Sequence, residues 1–416
     1  MIQLNPEKVI YQRRFFYLIT PLGLERIVLL ELEEKLQLIK AQYKILEVTP
    51  GGIEIEAMVV NLLQLIPHFR GVTRVLMRLG TTPSLNLYQT TVRDLPKLFQ
   101  KVSKFSWNDY LNGKLPEYVV SAKSSRLFDS RKIEKSFSDG ILRHFQMRPP
   151  KAIYLNRKDE LPPTTLYIRI VDDSMTVSLD LCGERLDRRK EKLMSTEAPI
   201  RESIAHNMLR ILSRHIDMTK KYVLLDPFIG SGTMLKEAIH FDEILMTRSI
   251  EHQFPFETFP CIEKDFLDFQ KTPDFKERDD ELKQKKTFQF ESCMGFDIDE
   301  KALKASRINL EPEIKNGQNI QLLEQDLFLA NGETLKNTNN LSIVVVTNPP
   351  YGERLLKNMD SDFLKQTITK LEHLGVEIVV LVSLKEQTKK ITKNVIERIS
   401  FVNGGLDVEC LVIKNK

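Results

Sequence analysis

Short apolar runs of strand length alternate with helix-like segments in the second half of the chain, and this alternation most restricts the fold. Five such runs are each followed by polar or turn-forming residues, at 222–225, 294–296, 320–324, 343–346 and 377–382. This pattern is typical of a doubly wound parallel sheet with helices on both faces. Two further runs flank Asn403-Gly404-Gly405 and predict a closing antiparallel hairpin. Helices are predicted to begin at Pro199, after an N-cap at Asp299, and near 386–397. In the first half, residues 166–170 and 175–179 predict a strand pair turned by Asp172-Asp173-Ser174. The predicted class is α/β, with a Rossmann-like sheet of seven strands preceded by an α+β region.

Composition sets broad limits on the class of protein. The 416 residues are 42% apolar and 28% charged with a net charge of +4, which predicts two or three globular domains and permits a nucleic-acid partner. No apolar run reaches the ~18 residues that would span a membrane. The cysteines lack metal-ligand spacing, at Cys182, Cys261, Cys293 and Cys410. We therefore expect a cytoplasmic protein, without a structural metal and with a monomer favoured.

Polar side chains follow four of the predicted strands. Parallel strands place their carboxyl ends along one edge, so Asp226, Asp297, Asp326 and Asn348 should line one crevice. Asp226 can bind a ligand ammonium, Asp297 both ribose hydroxyls, and Asp326 an adenine amino group. Gly230 and Gly232 let the backbone approach a ligand carboxylate at a helix start. S-adenosylmethionine fits this set of groups.

A dinucleotide is the rival ligand for the glycine loop. The loop reads Gly-Ser-Gly-Thr without the third glycine at the dinucleotide spacing. It also lacks the lysine of a phosphate-cradling loop. The glycine loop by itself is weak evidence, and the register of the four strand ends is what favours S-adenosylmethionine.

The segment Asn348-Pro349-Pro350-Tyr351 suits a planar group that carries an exocyclic amine. The Asn348 side-chain oxygen and the Pro349 carbonyl can each accept one N–H of an –NH2 group, and Pro350 stiffens the backbone. Tyr351 can stack on the ring. The alternative is a strand-ending turn with an incidental aromatic.

Basic residues concentrate in residues 121–151, where eight Lys or Arg face three Asp or Glu. They lie in a serine-rich turn and the helix that follows, which suits phosphate contacts. A solvated charged face is the competing interpretation. A polar segment, 183–192, predicts a linker that could lie on a polyanion. The candidate RNA contacts are Lys123, Ser125, Arg126, Arg131, Lys132, Arg188 and Arg189.

Several motifs resemble those of one family. They are Asp226-Pro227-Phe228-Ile229-Gly230-Ser231-Gly232-Thr233, Asn348-Pro349-Pro350-Tyr351-Gly352-Glu353-Arg354-Leu355, Ala198-Pro199-Ile200-Arg201-Glu202, Ser124-Ser125-Arg126-Leu127-Phe128-Asp129-Ser130 and Ser106-Trp107. The chain resembles class I methyltransferases that modify exocyclic amines. Within them it looks most like the guanine-N2 enzymes of 23S ribosomal RNA.

The resemblance implies a domain plan and a set of site residues. Residues 1–190 would hold a ferredoxin-like piece and an RNA-binding THUMP domain at about 45–180. Residues 191–416 would form the methyltransferase domain, with an insertion at about 242–291. The catalytic residues would be Asn348, Pro349, Pro350 and Tyr351. The implied cofactor-binding residues are Pro199, Asp226, Phe228, Gly230, Ser231, Gly232, Thr233, Asp297, Asp326 and Asn348.

Other functions remain open at this point. The same chemistry could act on guanine-N2 of tRNA or, more remotely, on adenine-N6 of DNA or a protein glutamine. A non-catalytic RNA-binding protein of ribosome assembly belongs to a different class. Two departures from the family bear on the target nucleotide: the run Leu186-Asp187-Arg188-Arg189-Lys190, and an insertion with phenylalanines in place of tryptophans. That insertion is expected to be a lid, a packing element or a surface excursion.

Overall fold

The computed structural model describes most of the chain. The described residues are 7–81, 86–153, 161–189, 193–194, 200–241, 253–284, 290–335, 341–350 and 361–415. They form two sheets. The strands of the first sheet are β1 Arg13–Ile19, β2 Tyr43–Thr49, β3 Gly52–Met58, β4 Arg74–Arg78, β5 Thr90–Thr91, β6 Glu117–Lys123, β7 Thr165–Val171 and β8 Ser174–Asp180. Those of the second are β9 Tyr222–Asp226, β10 Ser292–Asp297, β11 Ile320–Glu324, β12 Ser342–Thr347, β13 Val376–Leu384, β14 Val395–Asn403 and β15 Leu406–Lys414.

Helices cover both sheets. They are α1 Glu25–Leu38, α2 Val59–Leu65, α3 Leu95–Lys104, α4 Ser130–Met147, α5 Glu202–Ser213, α6 Thr233–Ile239, α7 Glu263–Gln270, α8 Pro273–Gln284, α9 Glu300–Lys315, α10 Ser361–His373 and α11 Lys385–Thr388. Asp299 caps α9 as the sequence predicts, because its side chain accepts a 2.9 Å hydrogen bond from Lys301 N.

The second sheet has the strand order β11-β10-β9-β12-β13-β15-β14. β9 to β13 pair in parallel, whereas β15 runs antiparallel to both β13 and β14. Alternate residues enter different cores: Leu224 and Val344 pack on one face, Val223 and Val345 on the other. Both faces are therefore buried, which explains the uninterrupted apolar runs.

Two local predictions need correction, and one strand was not predicted. The helix expected near 386–397 is only α11, because Val395–Asn403 pairs with β15 as a strand. α5 begins at Glu202 after Arg201, whereas the sequence places its start at Pro199, which lies outside the described residues. The sequence analysis also missed β2, which pairs antiparallel with β3.

The first sheet is continuous, with the order β2-β3-β1-β4-β8-β7-β6, and β5 pairs with β8. The predicted β7–β8 hairpin is present, and Asp172 and Asp173 take left-handed φ values of 50° and 62° at its turn. β6 forms one edge and pairs in parallel with β7. α3 and α4 pack beside Trp107, whose indole N–H donates to Val102 O at 2.7 Å. Residues 117–147 thus form an edge of this half.

The described part of the insertion, 253–284, packs on the N-terminal half. The buried rings of Phe254, Phe256, Phe259 and Phe266 share one core cluster with Phe16. On α8, Arg278 donates to Asn61 Oδ1 at 3.0 Å. The packing interpretation therefore holds for this part. Its phenylalanines belong to the core of a segment far earlier in the chain.

A buried polar cluster joins the two halves, and it corrects one site prediction. Arg189 is 3% exposed; its guanidinium donates to Glu237 on α6 and, at 2.6 Å, to Arg70 O. Arg70 itself binds Glu237 at 3.2 Å. Glu31 accepts 2.8 Å hydrogen bonds from the backbone N–H groups of Arg70 and Gly71. The prediction that Arg189 contacts RNA is wrong, because the side chain is buried and its guanidinium forms an ion pair with Glu237 inside the protein.

Candidate active site

Hydrogen bonds tie the carboxyl ends of the central strands together. Thr347 at the end of β12 donates from Oγ1 to Asp226 at the end of β9, at 2.7 Å. The backbone N–H of Gly230 donates to Asp297 Oδ2 at 3.0 Å. Gln325 N donates to Asp297 O at 3.0 Å, which joins the ends of β10 and β11. The structure thus brings these strand ends to one edge of the sheet, where open α/β folds bind ligands.

The glycine loop between β9 and α6 approaches β10 closely. Gly232 has a φ of +81°, a left-handed conformation that favours glycine, and directly precedes α6. A Cβ on Gly295 would lie 2.1 Å from Ile229 Cδ1 and 3.0 Å from Ile229 Cγ1, so the Ile229 side chain of the loop packs directly against this glycine. This close approach places the loop over the carboxyl end of β10.

Asp226 is a buried carboxyl group at the centre of this edge. Its residue is 3% exposed, and burial raises its pKa to about 7, against the opposing effect of hydrogen bonds from Thr347 and Phe228 N. The neighbouring Asp297 raises the pKa further. The group is therefore poised between its neutral and ionised forms near neutral pH, and a cationic ligand group would favour the carboxylate.

Asp297 is half-buried and oriented by backbone donors. Gly230 N binds its Oδ2 and Asp299 N binds its Oδ1, both at 3.0 Å. One lone pair of each oxygen remains for a ligand, which fits a pair of ribose hydroxyls. Ile298, which the sequence analysis missed, is 72% exposed beside it. The sequence signal that could have identified Ile298 is its position between Asp297 and Asp299, directly after a strand.

Asp326 and Phe328 follow β11 at the same edge. Asp326 accepts a 2.8 Å hydrogen bond from Phe328 N and caps a short turn. The rings of Phe328 and Phe228 both contact Phe363 of α10, with centroids 5.7 and 5.8 Å apart. Phe228 was predicted to bind the cofactor. Its contact with Phe363 could not be predicted, because the two residues are far apart in the sequence and meet only in the folded structure.

Asn348 carries a buried acceptor with no partner. Among the described residues, nothing donates to its Oδ1, which is shielded from solvent. An unpaired buried carbonyl oxygen is unfavourable by about 1–3 kcal/mol, so a ligand donor is the natural complement. Pro349 and Pro350 follow it and have no backbone N–H, which leaves a stretch that only accepts hydrogen bonds. Tyr351 lies outside the described residues, as does Pro199.

Asn309 on α9 is a further residue that sequence reasoning missed. Its Nδ2 donates to Ser231 O at 2.9 Å and to Met194 O at 2.7 Å. Its Oδ1 accepts from the backbone N–H groups of Leu193 and Met194 at 2.9 and 3.0 Å. This side chain therefore attaches residues 193–194 to the glycine loop. No sequence signal separates it from the other asparagines.

The candidate RNA contacts belong to elements other than the strand ends that form this edge. Lys123, Arg126, Arg131 and Lys132 are exposed around the turn between β6 and α4. Ser125 is engaged internally, because its Oγ donates to Lys123 O at 2.7 Å. Arg188 is exposed, in contrast to Arg189. None of these residues is on a strand of the second sheet.

Two kinds of feature are absent from the part of the chain that the structure describes. There, no cluster of three His, Cys, Asp or Glu side chains is arranged to hold a metal ion. Within the same residues, no helix has the length and apolar character needed to cross a membrane.

The sheet order, its antiparallel strand and the acidic strand ends define a Rossmann-like methyltransferase of class I. Residues 189–411, more than half of the chain, match the family model described as RMKL-like, methyltransferase domain. The chain belongs to this family. Its cofactor is S-adenosylmethionine, as the sequence predicted, and the acidic strand ends fit that molecule.

Named relatives are longer than this chain. The chain is 25% identical over 342 residues to the ribosomal RNA large subunit methyltransferase K/L of Colwellia psychrerythraea, which covers 80% of the chain and 45% of that protein. The same-named protein of Saccharophagus degradans is 26% identical over 389 residues, covering 88% and 47%. The chain thus spans about half the length of these relatives.

A solved structure shares the fold along the whole chain. A protein of Listeria monocytogenes, described as a predicted N6-adenine-specific DNA methylase, superposes with a TM-score of 0.72 at 18% identity, covering 100% of this chain and 99% of that one. At this identity the match shows the fold alone. It extends over the N-terminal half as well as the second sheet.

Proposed function

We propose that this chain transfers a methyl group from S-adenosylmethionine to the exocyclic N2 amine of a guanine in RNA, and that the RNA is 23S ribosomal RNA. The observation that carries the proposal is the buried, unpaired Asn348 Oδ1 at the end of β12, one residue after the Thr347 that binds Asp226. The names of the relatives favour ribosomal RNA as the substrate.

The strand ends would hold the cofactor. Asp226 binds its ammonium group, Asp297 its ribose hydroxyls, and Asp326 its adenine amino group. The exposed side chain of Ile298 offers an apolar surface for the adenine ring. When bound, S-adenosylmethionine supplies a methyl group on a positively charged sulfur, which becomes a neutral thioether after transfer.

Asn348 and Pro349 would bind the amine. Asn348 Oδ1 and Pro349 O each accept one N–H, and the absence of donors on Pro349 and Pro350 selects an –NH2 group over a ring carbonyl. Two such hydrogen bonds turn the nitrogen lone pair toward the methyl group, so that positioning supplies much of the rate. Once the nitrogen has formed its new bond to carbon it becomes acidic, and it releases one N–H proton to water. Tyr351 stacks on the guanine after the base has left its helix or loop.

The N-terminal half would bind the RNA. Its basic turn and helix, with Lys123, Arg126, Arg131 and Lys132, are suited to phosphate contacts. We assign residues 1–190 to this role, with a THUMP domain at about 45–180, and residues 191–416 to catalysis. Arg188 remains a candidate contact near the junction.

The test uses the full chain with methyl-labelled S-adenosylmethionine and three substrates: naked 23S rRNA, assembling large-subunit particles and bulk tRNA. Mass spectrometry of the nucleosides should show N2-methylguanosine in one of the ribosomal substrates. If N2-methylguanosine formed in tRNA alone, the proposed substrate would be tRNA and not ribosomal RNA. Methylation of another base would contradict the proposed amine, and cofactor binding without any transfer would favour a non-catalytic role.

A further inference from the structure

The turn between β6 and α4, residues 124–129, presents an aromatic ring to solvent. Phe128 is 77% exposed, the highest fraction of any large hydrophobic side chain in the described residues. A single exposed apolar side chain is common on protein surfaces, so the exposure of Phe128 bears on function only together with the charged groups near it.

Hydrogen bonds fix the backbone that carries this ring. Arg126 N donates to Asp173 Oδ1 at 2.7 Å, and Asp173 N donates to Ser125 Oγ at 3.1 Å. Ser125 Oγ in turn donates to Lys123 O at 2.7 Å. The β7–β8 turn, which contains Asp173, thus braces the turn that bears Phe128.

Neighbours on both sides of Phe128 are also anchored. Leu127 packs against the core of the N-terminal half. Asp129 caps α4 by accepting from Arg131 N at 3.1 Å and Lys132 N at 3.3 Å. With Leu127 directed inward and Asp129 engaged with the helix, Phe128 is held outward before any ligand arrives. A pre-ordered ring loses little conformational entropy on binding.

Basic residues lie close to Phe128 along the chain. Lys123, Arg126 and Arg131 are exposed, and the charge of Arg126 also acts on the nearby carboxylate of Asp173, whose pKa it helps to lower. A single ring within a cationic surface suits a ligand that carries both a flat apolar face and negative charge. An unpaired nucleotide has this chemistry, because its base can stack while its phosphates bind Lys or Arg. A duplex stacks its base faces on one another except at its two ends, and along its length it offers phosphates, 2′-hydroxyls and base edges.

We propose that Phe128 is a stacking site for an unpaired base of the RNA substrate, with Arg126 and Arg131 binding the adjacent phosphates. This site rests on the proposed RNA substrate and adds a requirement for a single-stranded nucleotide beside the structured part. It lies on the edge of the first sheet, and no cofactor-binding residue belongs to that sheet.

The test compares two RNA probes on the full-length protein. One is an oligouridine of about twelve nucleotides that contains 4-thiouridine, and the other is a blunt RNA duplex of equal length. Phe128→Ala should weaken oligouridine binding about tenfold and leave duplex binding within twofold. Phe128→Trp should retain oligouridine binding, and photo-cross-links should map to residues 124–132. Leu142→Ala, which shortens another exposed apolar side chain on α4, is the matched control and should change neither affinity.

Each outcome separates this site from the proposed function. Arg126→Glu with Arg131→Glu should weaken both probes, because both carry phosphates. If the double substitution weakens binding of both probes while Phe128→Ala changes neither affinity, the stacking site is overturned and the proposed RNA substrate stands. The exposed ring would then be assigned to contact with a protein partner. If the wild-type protein binds neither probe nor ribosomal RNA, the RNA assignment itself fails. Equal unfolding temperatures for Phe128→Ala and wild type would exclude misfolding as the cause of a loss.

Discussion

Thr347 Oγ1 donates a 2.7 Å hydrogen bond to the buried carboxyl group of Asp226. The two residues lie 121 positions apart and end neighbouring parallel strands, β12 and β9. Thr347 also precedes Asn348 directly. One side chain therefore links the candidate ammonium site to the candidate amine site, and changes at Thr347 should affect both.

Replacing Thr347 by Val should weaken cofactor binding. The variant keeps the shape of the side chain and removes the donor, so the Asp226 carboxylate loses a stabilising contact. We expect about tenfold weaker binding of S-adenosylmethionine at pH 7, measured by calorimetry. Thr347→Ser keeps the hydroxyl and should bind within about threefold of wild type. Equal losses in both variants would show that the methyl group matters and the hydroxyl does not.

The pH dependence of cofactor affinity should reflect the ionisation of the Asp226 carboxyl group. Its pKa of about 7 in the free protein means that below pH 7 the protonated form must lose a proton before it can bind an ammonium group. The α-amino group of the ligand loses its own charge at about pH 7.7–8.0. Affinity should therefore rise about fivefold from about pH 6 to pH 7.4 and fall again above pH 8.

Asp226→Asn provides the control for this profile. The amide cannot titrate, so the rise between pH 6 and 7.4 should disappear, while the decline at higher pH remains. Overall affinity should fall because the charge is gone. A profile in Asp226→Asn that still rises on the acid side would assign that limb to another group.

Substitutions at Asn348 and Asp297 should have different effects, the first on methyl transfer and the second on cofactor binding. Asn348→Ala should leave affinity for S-adenosylmethionine within about tenfold and abolish methyl transfer, because only the amine loses its acceptor. Asp297→Ala should weaken cofactor binding first, because its carboxylate is aimed by Gly230 N and Asp299 N. Binding is measured by calorimetry and turnover with labelled methyl groups. Equal loss of binding and turnover in Asn348→Ala would contradict its assigned role.

Arg189 should matter for stability. Arg189→Met leaves Glu237 with Arg70 alone and removes the hydrogen bond to Arg70 O. Because Glu237 keeps Arg70 as a partner, the loss of stability should be smaller than the ~3–5 kcal/mol that follows when a buried charge is left unpaired. The unfolding temperature of Arg189→Met should be clearly lower than that of the wild type. Arg188→Met, at an exposed position, should change the unfolding temperature far less. A silent Arg189→Met would mean that the cluster contributes little to holding the two halves together.

The amino-acid sequence by itself determined the second sheet and the identity of its acidic edge. Five apolar runs with polar ends suffice for this, because parallel strands buried on both faces have a local signature and their carboxyl ends must share one edge. Asp299 as a helix cap and the β7–β8 turn were likewise predictable, since both depend on adjacent residues. The segment 386–397 was not, because the helix α11 ends at Thr388 and the chain pairs with β15 from Val395 onward, a contact with a distant strand that its local helical pattern does not reveal.

Only the tertiary structure decided the contacts between distant segments. Arg189 looks like part of a basic linker until Glu237 and Arg70 are seen around it. Asn309 is an ordinary helical asparagine until residues 193–194 and Ser231 meet at its amide. The phenylalanines of the insertion reach the core of the N-terminal half in the same way. Spacing along a chain reports neighbours on one helix or strand, whereas burial and charge pairing depend on which segments the fold brings together.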